Sequence, residues 1–373
     1  MVVVDMDRTP AVPLGVEVGG ARAVAPAAEP AVPGTGSPPP PAGRPTAGWR
    51  PLGGDDLLDR LRVTGRRRPD ADPEVADRLR CALERGLSSE DPRGCDRPVG
   101  PARGAPTRSG PDPAVVVTKE RLNRALACEV HRTAAGPGGD DPTVAMACGA
   151  LVDVLFRQLI TLGSIDDPMA DGIAALAVDD RQEPLTAWIE RLAPGDRAEL
   201  RVEVERQVQA LRRRWPRLDP GWLPRTQESL RARLAGGAVE LATRVDLAIG
   251  RPAVDQASVA LVEVKSGARW QQHRADLHFS ALIETLRSAV PPFVVATYYT
   301  RTGELDVDPV TKELLSAAAR RTLVGTRVLI DQAGGVDHPA PTGFCLSCAA
   351  LPDVGDGWCP DPDGHRPTNG SRQ

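Results

Sequence analysis

The run Ala260-Leu-Val-Glu-Val-Lys-Ser-Gly267 is short, apolar and rich in β-branched residues. Closed by Ser-Gly, it predicts a buried strand. Side chains on a strand point alternately to opposite faces, so Glu263 and Lys265 share one face while Val262 and Val264 share the other. Lysine is scarce here: of 46 basic residues only Lys119, Lys265 and Lys312 are lysine. What lysine offers over arginine is a compact ammonium whose pKa can be moved. An acid and a base therefore point together from a buried strand.

Upstream, Ala238 to Ile249 ends in strict alternation, which places Val245, Leu247 and Ile249 on one face and Arg244, Asp246 and Ala248 on the other. Gly250-Arg-Pro252 breaks this strand, and the loop to Gln256 is short enough to return the chain as an antiparallel neighbour. Asp246 then comes beside Glu263 and Lys265. Two carboxylates and one ammonium on a sheet suit a hard divalent cation that takes oxygen ligands and keeps several waters. In phosphodiester hydrolysis such an ion neutralises phosphate charge and lowers the pKa of a bound water. Lys265 would orient that water or stabilise charge developing on the phosphate. The alternative is a buried ion pair with a solvated Asp246 beside it.

At these residues the chain resembles the PD-(D/E)xK nuclease superfamily, whose core carries an Asp on one strand and Glu-x-Lys on the next. The resemblance is to the RecB-type branch, which includes the C-terminal nuclease domains of RecB and AddB and the CRISPR-associated adaptation nucleases. It extends over residues 115 to 360. It implies an α/β, restriction-endonuclease-like fold, a mixed central sheet flanked by helices. It further implies Asp246, Glu263 and Lys265 as catalytic residues. Mg²⁺ or Mn²⁺ would be held by Asp246, Glu263, the backbone carbonyl of Val264 and Asp153. Asp153 stands where the family's Gly-x-x-x-His segment has its His, and oxygen ligation suits Mg²⁺ or Mn²⁺. Asp276 and Ser280 stand at the supporting positions of the family's Gln-x-x-x-Tyr helix.

The flanking segments follow in the family's order. Val115 to His131 predicts an opening helix with Thr118 as N-cap and an apolar stripe of Leu122, Leu126 and Val130. Cys148 to Phe156 begins an amphipathic helix. Gln271 to Ser288 predicts a helix with Ala275, Phe279, Leu282 and Leu286 on one stripe. Pro291 to Tyr299 predicts a strand, Thr302-Gly-Glu304 a turn, and Val310, Leu314 and Ala318 the start of a final long helix.

Of seven cysteines, three fall at Cys345-Leu-Ser-Cys348 and Cys359. Two thiolates in Cys-x-x-Cys grip one metal centre, so with Cys128 the chain has four candidate ligands for an iron-sulfur cluster. The resemblance implies a [4Fe-4S] cluster stapling the tail to the first helix. A Cys₄ Zn²⁺ site uses the same ligands, and ordinary thiols are the third reading. Cys81, Cys95 and Cys148 have no such spacing and read as structural or incidental.

Residues 1–54 are dominated by Ala, Pro, Gly and Val, and predict a disordered or polyproline-like extension. Residues 55–112 hold short helices and a Gly/Pro linker, residues 113–360 the nuclease-like domain, and residues 361–373 a disordered tail. Met1 to Pro10 lacks an apolar signal-type core, and no segment approaches 18 consecutive apolar residues. A cytoplasmic protein with no membrane partner is therefore expected. The net charge of −4 argues against a strongly basic polynucleotide binder, but not against a nuclease whose local field is set by its site. With aromatics at 3%, a base-stacking platform is not expected. Arg66-Arg-Arg68 and Arg212-Arg-Arg214 read as solvated charge runs. His131, His273, His278, His338 and His365 show no ligand spacing and read as surface or helix residues. There is no Gly-x-x-x-x-Gly-Lys phosphate loop, so unwinding would need a separate helicase or ATPase chain. Two functions follow as expectations: a metal-dependent, exonuclease-like DNA nuclease in repair, recombination or defence, or a degenerate nuclease fold that binds DNA or protein without cutting. An iron-sulfur redox protein is a third.

Overall fold

The computed structural model describes residues 69–88, 112–127, 142–253 and 256–336. The expected N-terminal extension, the C-terminal tail and Cys128, Cys345, Cys348 and Cys359 lie outside these residues, as do His131, His338 and His365.

The fold is mixed α/β, a mixed sheet with helices on both faces. In chain order the elements are α1 (Val75–Leu87), β1 (Val115–Val117), α2 (Lys119–Ala125), α3 (Val144–Leu162), α4 (Pro168–Leu176), α5 (Glu183–Glu190) and α6 (Pro194–Arg214). They continue with β2 (Arg225–Leu234), β3 (Val239–Ile249), β4 (Ala260–Lys265), α7 (Gln271–Ser288), β5 (Val294–Tyr299), β6 (Glu304–Pro309) and α8 (Lys312–Ala333). β2 runs antiparallel to β3 along nearly its whole length. β4 is antiparallel to β3, pairing Leu247 with Val262, and parallel to β5, which is antiparallel to β6.

The sheet divides the core. On one face α3, α4 and α6 bury Leu151, Leu155, Val204 and Leu211 against Leu247, Val262 and Ala296. On the other, α1, α2, α7 and α8 bury Leu83, Leu122, Phe279 and Leu315 against Leu241, Leu261 and Val295. Each such side chain withdrawn from water contributes about 1.5–3 kcal/mol before entropy is counted. In α6, Leu200, Val204, Val208 and Leu211, with Trp215 at its C-terminal end, form an apolar stripe that is buried throughout. α3 is apolar and long enough by composition to cross a bilayer. Its Leu151, Leu155 and Phe156 are instead core residues of the sheet-bearing body.

Three expectations are corrected. The opening segment is not helical from its start: Val115–Val117 form a strand and the helix runs over Lys119–Ala125, while Val130 lies outside the described residues. Val245 does not share a face with Leu247 and Ile249: it packs with Leu241 and Ala248, on the opposite side of the sheet. The alternation slips at Asp246, where the partner strand carries Gln227 in the left-handed region at φ 54°. Finally, the arginine run ending α6 is not simply solvated. Arg212 donates to the carbonyl of Ile165, and Arg214 donates to that of Thr302 at 2.5 Å, tying the helix end to two other segments.

Candidate active site

β1 and β4 share one edge of β3, because β2 occupies the other. β1 pairs with Val239–Leu241 and β4 with Leu247–Ile249, so the ladders leave Ala242 to Asp246 open on that edge among the described residues. β1 is parallel to β3 and β4 antiparallel, so the carboxyl ends of both strands converge on this gap. Such a fork outside strand C-termini is where open α/β sheets collect ligands. A cavity of about 820 Å³ opens there, lined among others by Lys119, Asp153, Arg244, Asp246, Glu263 and Lys265. The sequence-predicted trio Asp246, Glu263 and Lys265 is thus brought together, and Asp153 reaches it from α3.

Glu263 is the centre of the cluster. Its side chain is 2% exposed, and an ammonium lies 3.1 Å from each carboxylate oxygen: Lys265 on Oε2 and Lys119 on Oε1. Burial would raise its pKa, but Lys265 and Lys119 outweigh burial and hold the carboxyl below the usual glutamate range. Burial likewise disfavours both ammoniums, and Glu263 more than restores them, so both stay above the ordinary lysine value. Asp246 is in the opposite condition. Its own burial, then the carboxylates of Glu263 and Asp153, push it well above the usual range, although Oδ2 accepts the Val264 amide at 2.7 Å. Asp153 is also raised, by burial first, and is held by Gln227 Nε2 at 3.1 Å from Oδ1.

Lys119 was legible but missed. It is one of three lysines, and it occupies the first position of a helix, where the macrodipole disfavours a cation. A rare cation in an unfavourable place signals a specific counter-charge. Gln227 was missed for a different reason, since nothing in sequence marks a non-glycine residue for left-handed backbone.

The surroundings fix the end of β4. Thr300 donates its amide to the Lys265 carbonyl at 2.9 Å. The Thr300 hydroxyl donates to Gln207 Oε1, and Gln207 Nε2 donates to the Ser266 carbonyl at 3.3 Å. Gln207 is 1% exposed, so this clamp acts from within the core. Gly149 lies against Ser266 Oγ, which lets α3 approach closely.

Asp276 accepts from Asn123 Nδ2 at 2.8 Å and is raised chiefly by burial, with Lys119 and Lys265 opposing. Ser280 is fully buried, 3.4 Å from Thr243 Oγ1. Asp276 therefore stands beside the lysines, whereas Ser280 supports the strand behind them. His273 and His278 are helix residues, as expected, and each has a polar partner. His273 lines the cavity with Nδ1 3.4 Å from the Tyr299 hydroxyl, and burial together with Lys265 pushes it down to about 4. His278 meets Asp308 at 3.0 Å. Trp270, 39% exposed, stands in the cavity wall. Cys148 is buried, which pushes its thiol up to about 11 and makes it a packing residue.

Among the described residues no three carboxylate, imidazole or thiol groups converge on a common point. Mg²⁺ does not require three, since one or two carboxylates with retained waters hold it. Asp246 and Glu263 supply two oxygen donors on one cavity wall, and the burial and carboxylate repulsion that raise Asp246 are what a divalent cation would offset. The residues present fit such an ion.

No family model and no curated protein sequence matches the chain. Among solved structures, that of a protein from Eubacterium rectale titled "Putative exonuclease" is 14% identical, covering 61% of this chain and 84% of that one, with a TM-score of 0.38. The crystal structure of SSO0001 is 13% identical, covering 63% of this chain and 95% of that one, with a TM-score of 0.22. At these TM-scores neither superposition carries an argument about activity.

Proposed function

We propose that this chain is a metal-dependent nuclease hydrolysing DNA phosphodiester bonds, exonuclease-like in the manner of the RecB-type PD-(D/E)xK enzymes that its motifs resemble, in repair, recombination or defence. The observation that carries this reading is the placement of Asp246, Glu263 and Lys265 on one wall of the cavity at the open edge of β3. Mg²⁺ or Mn²⁺ held by Asp246 and Glu263, with the Val264 carbonyl and Asp153 as the further oxygen donors the resemblance implies, would supply charge neutralisation and an acidified water. Lys265 places its ammonium beside the same carboxylate, where it can hold a water or stabilise charge on a phosphate oxygen. Exposed Arg244 offers a guanidinium to a neighbouring phosphate, a contact that positions the substrate without reading sequence. Unwinding would come from a separate helicase or ATPase chain.

One observation favours a second reading, a binding module without cleavage: both oxygens of Glu263 are already engaged by ammoniums. Labelled single- and double-stranded DNA incubated with Mg²⁺, Mn²⁺ or EDTA separates the two. The nuclease reading expects cleavage that EDTA stops, that Asp246→Ala and Glu263→Ala abolish, and that Lys265→Arg lowers by about 100-fold because the wider group misplaces the charge. Undiminished cleavage by either alanine variant sinks the assignment, and DNA binding without cleavage establishes the second reading. Cys128, Cys345, Cys348 and Cys359 stay proposed ligands of a [4Fe-4S] or Zn²⁺ staple, to be tested by metal analysis of anaerobically purified protein.

A further inference from the structure

Lys119 and Lys265 grip the same carboxylate but are anchored differently. Lys265 ends a sheet strand whose carbonyl is clamped by Thr300 and whose next carbonyl is held by Gln207. Its backbone cannot leave. Lys119 comes from outside the sheet, at the first turn of α2 after a three-residue strand, and its flexible four-carbon stem lies along the cavity wall. Glu263 is almost wholly enclosed with one ammonium on each oxygen, so a cation that uses either oxygen competes with the ammonium already there. Both side chains line the cavity, but the nuclease reading gives Lys265 to the reacting phosphate, so the ammonium left to move is that of Lys119, with the cavity on one side and, when nucleic acid is present, a neighbouring phosphate to receive it.

Resting on the nuclease reading, we propose that Lys119 is a displaceable counter-cation: it holds Oε1 of Glu263 in the free protein and would move to a substrate phosphate when a divalent ion enters. Metal and nucleic acid then bind cooperatively, because each removes the obstacle to the other. Lys119 is a positioning residue in this scheme. Without substrate it suppresses metal binding, which keeps the hydrolytic site unassembled until DNA arrives. The linkage is reciprocal, so the metal strengthens DNA binding by the same factor.

The test uses the full chain and Mn²⁺, with affinity read by electron paramagnetic resonance of free Mn²⁺ and by calorimetry, with and without a cleavage-resistant phosphorothioate oligodeoxynucleotide. Wild-type protein is expected to bind Mn²⁺ weakly alone and roughly tenfold more tightly with the oligonucleotide, within the usual range of coupling between sites. Lys119→Met should bind Mn²⁺ tightly without the oligonucleotide and gain nothing from it. Lys119→Gln provides a second neutral variant should the first fold poorly, and Lys119→Arg should retain suppression. If both neutral variants bind Mn²⁺ no more tightly than wild type while wild type still cleaves DNA, the counter-cation idea fails and the nuclease reading stands. If no variant binds Mn²⁺ and none cleaves, both fall together.

Discussion

Glu263 and Asp246 sit on one cavity wall under opposite electrical conditions. Glu263 is compensated twice, by Lys119 and Lys265 at 3.1 Å each, so its ionised form is the favoured one in the fold. Asp246 is raised first by its burial and then by two other carboxylates, with Lys265 and the Val264 amide opposing only in part. Its folded pKa lies above its unfolded value, so ionisation at neutral pH opposes folding, and the penalty lifts only as pH falls toward protonation. Asp246→Asn keeps an oxygen for the Val264 amide and removes the charge. In metal-free buffer at pH 7 this variant should therefore be more stable than wild type by about 0.5–2 kcal/mol, while losing the added protection that Mn²⁺ gives wild type in the presence of the cleavage-resistant oligonucleotide. Thermal melts with EDTA, and with Mn²⁺ and the oligonucleotide, check both halves; a metal-free variant that melts below wild type contradicts the repulsion argument.

At the scale of elements, the β3–β4 pair carries the site, and its register depends on the turn between them. Gly250 has φ +92°, its amide donates to the Trp222 carbonyl at 2.8 Å, and a Cβ there would overlap the carbonyl oxygen of Ser258. Backbone cannot yield as a side-chain tip can. Gly250→Ala should cost about 2 kcal/mol or more, combining left-handed strain with overpacking, and should lower nuclease activity by shifting Glu263 relative to Asp246. Urea unfolding measures the first effect; an alanine variant of wild-type stability would mean the turn relaxes freely. The elements themselves were largely readable. Gln271–Ser288 is a helix at its expected bounds, and Thr118 caps α2 by accepting from Arg121. The slip at Asp246 was not readable, because period-2 patterning registers only polarity, and Val245, Leu247 and Ala248 are all apolar on a sheet buried on both faces.

At the scale of the whole molecule, polar bridges at the margin of the sheet link the helical layer to the edge strand. Asp308 on β6 is bonded by Arg274 at 2.6 Å and by His278 at 3.0 Å, both from α7. Burial would raise its carboxyl, but His278 and Arg274 dominate and hold it at about 2. A depressed carboxylate stabilises the fold above its unfolded value near 3.9, and that contribution disappears as pH falls from about 5 toward 2. After discounting for partial exposure it amounts to about 1–2 kcal/mol. Asp308→Asn should thus melt lower than wild type at pH 7, with the gap closing below pH 3. Equal gaps at pH 7 and pH 3 would assign the loss to shape rather than charge.

Sequence alone determined β3, β4, β5, the helix α7 and the shared face of Glu263 and Lys265, because these depend on local periodicity and on breakers such as Gly250-Arg-Pro252, whereas nothing in it marked β1, β2 or β6. It also singled out Lys265 through the scarcity of lysine. Only the tertiary structure decided that β1 and β4 share one edge of β3, leaving the gap into which Lys119 projects. Lys119 and Glu263 lie 144 positions apart. The energy that joins them is an ion pair enclosed by the sheet fork, and a contact of that kind exists only once the strands have chosen their neighbours.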